Sequence, residues 1–463
     1  MMAQTRRAHD SRSLGWLYVL LLSLLVGACS NAERALPVAA GSGGSPLPDQ
    51  GASGTQTESS EAGASAVPPA PRAQASAGNG GSGGRGASAA AAGASGSSTR
   101  GGSAGGGRAA AVGGAGSDAG RGAGGTGSVP CSGPIATLSG ALATGIVFMD
   151  DRGKRVNAHG GGIIKQGDTY YLHGEYFSET TTDNNFNGFA MYSSKDLATW
   201  KWEKLILPQQ PSGLLGPKRK GERPHIVKCP STGEYVLYAH AASEDYQTDK
   251  EVVYATSPSV NGDYSFAGAL TNASGQTAAH SDMSAITDAD KAYVITESGH
   301  IYTLAADCHS WVSDKAYSAV NGDSGGSESP TVFKAGDTYY WIGSYKTGWR
   351  ANNNFYSTAP ALTGPWTYRG FLAPVTDPKN NSSDERTWLS QSTWVTPLQG
   401  CNGTVYVYWG DHWDGNQDAK APGKHNALAT YVFQPLVFSA TAISLPSYRS
   451  QWRLDVGAGT WSE

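Results

Sequence analysis

Five times in the last two-thirds of the chain, a polar residue heads a short β-like run, and each time a tyrosine-containing run follows. The openings are His159-Gly-Gly-Gly-Ile-Ile-Lys, Glu222-Arg-Pro-His-Ile-Val-Lys, Asp282-Met-Ser-Ala-Ile-Thr, Glu328-Ser-Pro-Thr-Val-Phe-Lys and Gln391-Ser-Thr-Trp-Val-Thr. The answering runs are Asp168-Thr-Tyr-Tyr-Leu-His-Gly-Glu175, Glu234-Tyr-Val-Leu-Tyr-Ala-His240, Lys291-Ala-Tyr-Val-Ile-Thr-Glu297, Asp337-Thr-Tyr-Tyr-Trp-Ile-Gly343 and Thr404-Val-Tyr-Val-Tyr-Trp-Gly410. A unit of about 50–65 residues holding several short strands is the signature of propeller blades. Period-2 runs of Tyr, Val, Ile and Trp dominate, and no strong helical period appears. The expected fold is all-β, a five-bladed β-propeller over residues 134–463, which aims five equivalent residues, three of them acidic, at one axis.

A third strand is legible in four of the units. Met191 to Trp200, Tyr254 to Tyr264, Leu304 to Trp311 and Phe355 to Trp366 each read as strand, turn and an aromatic that plugs the space between blades. Pairing strands from the two ends of such a chain avoids an exposed sheet edge. The runs Gly145 to Phe148 and Thr430 to Phe438 are the candidates for that join.

The N-terminus is expected to carry no fold. Arg6, Arg7 and Arg12 precede an apolar stretch from Leu14 to Val26 that is short for a membrane span. Val26-Gly27-Ala28-Cys29 reads as a lipobox, so residues 1–28 are expected to be a lipoprotein signal and Cys29 the lipidated residue. Ser30 after it points to sorting to a bacterial outer membrane, with the protein at the cell surface. Residues 29–133 are Gly, Ser and Ala with few large apolar side chains, which cannot bury enough surface to order. A flexible tether of ~100 residues reaches about 50–60 Å. Net charge is −4, with no basic stripe, which argues against a nucleic-acid partner. The expected state is a monomer. Beyond Cys29, the four cysteines Cys131, Cys229, Cys308 and Cys401 suit two disulfides in an exported domain, with three pairings open. No metal-ligand spacing is present.

Glu222, Asp282, Glu328 and Gln391, with His159 as the first-unit equivalent, share one register and should converge at the mouth of the axis. Clustered carboxylates raise one another's pKa and leave one protonated near neutrality. Glycosidic bond cleavage requires such an acid at the leaving oxygen, and a second group that handles water or the cationic centre. Tyr and Trp near the mouth supply faces for sugar stacking, so a polysaccharide or oligosaccharide is the expected partner. No cofactor is required for this chemistry. Structural calcium remains open, since acids and carbonyls together would hold it.

The motifs Asn157-Ala-His159-Gly-Gly-Gly162, Glu222-Arg-Pro224, Ser281-Asp282, Glu328-Ser-Pro330, Thr347-Gly-Trp349, Thr387-Trp-Leu-Ser-Gln391 and Gly410-Asp411-His-Trp413 occur in that order. Together they resemble glycoside hydrolase family 43, and within it most closely the exo-β-1,3-galactanase branch. The resemblance implies an inverting enzyme that releases galactose from β-1,3-galactan, with Glu328 as general acid, Glu222 as a second carboxylate and Asp282 as pKa modulator. Most of the family has an aspartate base where this chain has His159; Gln391 matches the glutamine that the branch has instead. Such a glutamine acts either as an imidic tautomer or by orienting water, with Glu222 as the proton acceptor. His159, Glu175, Trp349, Trp388 and Asp411 are expected to contact substrate. Glu175 reads equally as a hydrogen bond between blades, Trp349 as a packed loop anchor, and Asp411 and His412 as caps on the last blade. Lys218-Arg-Lys220 reads as a solvated loop. Related branches leave α-L-arabinofuranosidase, β-xylosidase and galactofuranosidase activity as alternatives, and the missing first-unit aspartate leaves a non-catalytic sugar-binding propeller. No carbohydrate-binding module is expected after residue 463, so affinity should come from the hub.

Overall fold

A computed structural model of the chain describes residues 133–322, 326–375, 386–413 and 423–463. The expected leader, Cys29, the glycine-rich segment through residue 132 and Cys131 lie outside the described residues. Within them the chain is all-β, with helix limited to three short 3-10 turns.

Each of the five sequence units forms its own antiparallel sheet, with strands paired in chain order. The first sheet holds His159–Gln166, Thr169–Glu175, Gly188–Ser194 and Lys201–Pro208. The second holds Arg219–Lys228, Tyr235–Ser243, Glu251–Ser257 and Ser265–Ala269. The third holds Met283–Asp288, Lys291–Thr296, His300–Leu304 and Trp311–Ala316. The fourth holds Glu328–Ala335, Thr338–Ser344, Phe355–Ala359 and Thr367–Phe371. The fifth has three strands, Gln391–Gln399, Thr404–His412 and Thr430–Pro435. Three of the opening hairpins turn on two residues, Gly167-Asp168, Ala289-Asp290 and Gly336-Asp337, and the first residue of each has positive φ. Such turns match the right-handed twist of the strands they join.

The first strands lie against one another in order, and the fifth sheet's first strand also touches that of the first sheet. Apolar clusters fill the spaces between successive sheets. Tyr192 and Trp200 of the first unit meet Trp409 and Phe433 of the fifth in one of them, with Phe148 between. Trp200, Tyr264 and Trp366, the aromatics that end the third strand's turn, are buried in three such clusters, and Trp311 packs on a fourth. The expected join of the two ends is present. Ile146 pairs antiparallel with Tyr431, exchanging N–H···O bonds of 2.7 and 3.0 Å. Ile135–Ser139 adds a second end-to-end pairing with Gln451–Asp455. Cys229 and Cys308 form a disulfide between the second and third units, and Cys401 is also disulfide-bonded.

Tyr431 ties this join to the functional end of the molecule. Its buried hydroxyl donates to Val156 O at 3.0 Å and accepts from Ala158 N at 3.1 Å, and its ring stacks on His159 at 4.9 Å. Tyr431→Phe would leave both backbone groups unpaired in an apolar setting, a loss on the order of 2 kcal/mol. A thermal melt should show a clearly lower Tm; an unchanged Tm would reject this role.

Candidate active site

A backbone device aims the register residues. The first strands of four sheets are bulged at the register residue or just after it, with shifts between His159/Gly162, Glu222/His225, Glu328/Thr331 and Ser392/Trp394. In three of them the next residue is left-handed: Gly160 (φ 61), Arg223 (φ 53) and Ser329 (φ 55). Each of these residues turns its N–H away from the ladder and onto a carboxylate of another sheet. Gly160 N donates to Asp411 at 2.8 Å, Arg223 N to Glu175 at 2.8 Å and Ser329 N to Asp282 at 2.9 Å. Bulges re-aim side chains at strand ends, and here an acid holds each one. At position 160 only glycine fits, because a Cβ there would stand 2.2 Å from Glu175 Oε1.

The redirected side chains line a cavity of about 330 Å³ whose wall includes Glu175, Glu222, Arg223, Asp282, Glu328 and Gln391. Arg223 is the centre of the cluster and is only 6% exposed. Its guanidinium donates to Gln391 Oε1 at 2.5 Å and sits 3.2 Å from Asp282 Oδ2. Gln391 Oε1 also accepts the Trp413 indole N–H at 2.9 Å. Gln391 Nε2 donates to Glu328 Oε1 at 2.9 Å and to Ser344 Oγ at 3.1 Å. All four bonding positions of this amide are used, and two donors at Oε1 fix which end is oxygen.

The acids have divergent environments. Burial pushes the Glu328 pKa up to about 8, and the Asp282 charge adds to it, against the pull of Arg223 and Lys346. Burial also raises Glu175 well above the carboxylate range, with the Glu222 charge acting in the same direction. For Glu222 burial is outweighed: His240, Tyr246 and Arg223 hold its pKa below the ordinary value. Tyr246 Oη donates to Glu222 Oε1 at 2.5 Å, and His240 Nδ1 lies 3.4 Å from Glu222 Oε2 without hydrogen-bond alignment. The half-buried Glu328 is therefore protonated at neutral pH and Glu222 ionised, within one cavity, which is the arrangement an acid–base pair requires.

Trp349 lines the rim, edge-on to Trp413 at 4.8 Å and to Phe177 at 6.2 Å. Lys346 pairs with Glu297, whose Oε1 accepts the Ser281 N–H at 3.2 Å. Of the residues expected to contact substrate, Glu175 and Trp349 line the cavity. Glu175 also bonds between sheets, accepting the Arg223 N–H. His159, Trp388 and Asp411 do not line it, and the expectation for them is corrected. His159 is fully buried, with Nδ1 3.0 Å from Asp411 Oδ1 and its ring against Tyr431, Phe177 and Trp413. Asp411 is buried because it caps Gly160 and accepts from Thr393 Oγ1 at 2.5 Å. Trp388 packs into the apolar cluster between the fourth and fifth sheets. It sits in Thr387–Leu389, three successive left-handed residues that lead into Gln391. His412 is buried too, and burial with the Arg386 charge holds its pKa down to about 4. Lys218-Arg-Lys220 is not a solvated loop: Arg219 opens a strand and Lys220 is 3% exposed.

Several cavity residues had no assignment from sequence. Arg223 lay inside a quoted motif and His240 and Glu297 ended quoted tyrosine runs, yet nothing local marked their orientation. Tyr246, Lys250 and Lys346 sit in loops outside the repeat and carried no signal. Glu222, His240 and Asp282 each offer a ligand atom within 4.8 Å of one another. The set does not suit calcium, which takes six to eight oxygens. It offers one imidazole and two carboxylates, and Arg223 is already at one of these.

Residues 161–385 match the model for Glycosyl hydrolases family 43. No curated protein matches the chain. Among solved structures, one described as a candidate exo-β-1,3-galactanase from Bifidobacterium bifidum s17 is 30% identical, with a TM-score of 0.55, over 65% of this chain and 95% of that one. An exo-β-1,3-galactanase from Clostridium thermocellum is 28% identical, with a TM-score of 0.59, over 71% of this chain and 68% of its own. One from Phanerochaete chrysosporium, solved with β-1,3-galactotriose, is 26% identical, with a TM-score of 0.58, over 70% of each chain.

The electrostatic account is open to direct measurement. Asp282→Asn removes a negative charge that opposes ionisation of Glu328, so the Glu328 pKa should fall from about 8 toward the ordinary carboxylate range. A ¹³C NMR titration of glutamate carboxyls, with Glu328→Gln identifying the signal, checks this; an unmoved Glu328 would refute it.

Proposed function

Since the chain belongs to Glycosyl hydrolases family 43, we propose that this glycosidase is an inverting, exo-acting enzyme that releases galactose from β-1,3-galactan on a five-bladed propeller. The five sheets and the apolar clusters between them support the propeller reading. The galactanases of comparable fold support the sugar and the linkage. The observation that carries the mechanism is the opposed tuning of two carboxyls in one cavity, the half-buried Glu328 upward and the buried Glu222 downward.

In this reading Glu328 is the general acid. Gln391 donates to Glu328 Oε1, so the acidic proton resides on Oε2, available to the leaving glycosidic oxygen. Gln391 acts as an amide. An imidic tautomer would place a proton on Oε1, where the N–H groups of Arg223 and Trp413 already converge. Gln391 is then an orienting group, and ionised Glu222, whose two oxygens are free of any protein cation bond stronger than the His240 contact, accepts the water proton. Arg223 offsets the negative charge that develops on Glu328 as it gives up its proton. Trp349 supplies a stacking face at the rim.

Glu328→Gln should lower turnover on β-1,3-galactooligosaccharides by about 10²–10⁴-fold, while calorimetric binding of the same ligand persists. Near-full activity would remove the assignment. An NMR time course should show the released sugar first in the inverted α configuration, and first appearance of the β anomer would rule the mechanism out. Nitrophenyl arabinofuranoside, xyloside and galactofuranoside serve as the competing substrates.

The pH profile follows from the signs of the shifts. Glu328 must be protonated and its pKa is raised, so kcat/KM should hold through neutrality and fall as pH rises through about 8. Glu222 must be ionised and its pKa is lowered, so the acid limb should lie below the ordinary carboxylate value. An alkaline limb near pH 5 would contradict this reading.

A further inference from the structure

Lys220, misread from sequence as solvated, is a buried cation on the same face of its strand as Glu222. Its Nζ donates to Asn184 Oδ1 at 2.5 Å and to Asn185 Oδ1 at 2.9 Å, and stands 5.2 Å from the centre of the Tyr246 ring. Both asparagines belong to the loop between Glu175 and Gly188 of the first sheet, whereas Tyr246 belongs to a loop of the second. The contact therefore joins two loops of different sheets beside the cavity.

The direction of the hydrogen bonds is determined by chemistry. An ammonium only donates, so the atom of Asn184 that faces Lys220 must be the oxygen. Its amide nitrogen is then the end that faces Tyr246, and it donates to Tyr246 Oη at 3.0 Å. The hydroxyl accepts that bond, so its own proton points the other way, to Glu222 Oε1 at 2.5 Å. The result is a one-way chain of donors, Lys220 to Asn184 to Tyr246 to Glu222, that ends on a carboxylate oxygen. A chain with this polarity favours the ionised end group.

We propose that Lys220 and Asn184 are positioning residues that direct the Tyr246 proton onto Glu222 and so keep this carboxylate ready to accept a proton. The inference rests on the assignment of Glu222 as acceptor in the proposed mechanism. Other charged and titratable groups also face Glu222, namely Arg223 from its own strand, His240 from the next, Glu175 from the first sheet and Asp282 from the third. Any test must hold these constant. Asn185 provides the control, because it bonds the same ammonium but has no bond to Tyr246; its Nδ2 donates to Glu244 at 3.2 Å.

The experiment compares Asn184→Asp with Asn185→Asp in the full chain. Each adds one negative charge at Lys220, but the charge at 184 stands beside the Tyr246 hydroxyl and so closer to Glu222; Asn184→Ala, which adds no charge, separates loss of the donor from that difference. Only Asn184→Asp removes the donor to Tyr246 and offers a carboxylate that competes for the tyrosine proton, which reverses the chain. The Glu222 pKa is read by ¹³C NMR of labelled glutamate carboxyls, assigned with Glu222→Gln, with no substrate present. Expected is an upward shift in Asn184→Asp exceeding that in Asn185→Asp by about one pH unit, with Asn184→Ala moving in the same direction by less. Equal shifts in the two aspartate variants, or none in Asn184→Ala, would overturn the proposal. If Asn184→Asp does not fold by circular dichroism, Asn184→Ala against Asn185→Ala decides. In parallel, the acid limb of kcat/KM on β-1,3-galactooligosaccharide should move with the Glu222 pKa. A pKa shift without movement of that limb would sink the assignment of Glu222 as acceptor and leave the chain standing.

Discussion

The guanidinium of Arg223 is the interaction on which the hub depends. Several acids converge there, partly withdrawn from water, and in a low-dielectric site their mutual repulsion would force protons onto most of them. Arg223 neutralises part of that charge from inside the cluster, bonding Gln391 and pairing with Asp282. Its backbone does a second job, because its N–H is the donor that holds Glu175. Burying a cation is unfavourable unless it is surrounded by partners, and here the acids keep it charged as it keeps them together. Charge balance and geometry are thus one constraint.

The bulges turn a regular sheet into a site. In an unbroken ladder, the N–H after each register residue would pair with its neighbouring strand and the side chain would follow the pleat. Left-handed backbone at Gly160, Arg223 and Ser329 releases those N–H groups, and Asp411, Glu175 and Asp282 receive them. Non-glycine residues with positive φ are strained, and at Arg223 and Ser329 a backbone hydrogen bond to a carboxyl oxygen of another sheet offsets that strain. The third sheet has no bulge in its first strand, and it is the sheet that supplies Asp282 as a receiver. The acids therefore differ in use: Glu222 and Glu328 face the cavity, Asp411 is spent holding the backbone, and Glu175 and Asp282 do both.

His159 shows what a substitution in the shared register does. A histidine there is drawn into an aromatic cage by Tyr431, Phe177 and Trp413 and is paired with Asp411. It does not line the cavity, and the first sheet contributes no side chain at its register position there. In the proposed mechanism Gln391 and Glu222 are the groups that would face a water, and the saturated bonding of Gln391 separates their roles.

Much was legible in the chain itself. Period-2 aromatic runs and the recurrence of one polar residue per unit determined the all-β class, the sheet order, the end-to-end pairing at Ile146 and the convergence of Glu222, Asp282, Glu328 and Gln391, because these follow from local periodicity repeated along the sequence. Whether a residue faces the cavity or the core was not legible for His159, because a bulge changes side-chain direction without changing residue type, nor for Asp411, Trp388 or Lys220, whose burying partners come from distant parts of the chain. Nor could spacing reveal Tyr246 or Asn184, which reach Glu222 from loops that have no place in the repeat. Proton location, bond polarity and the opposed tuning of Glu328 and Glu222 arise from burial and from partners brought in by other sheets. Only the tertiary structure decided them, because desolvation and charge act through space, whereas the repeat acts along the chain.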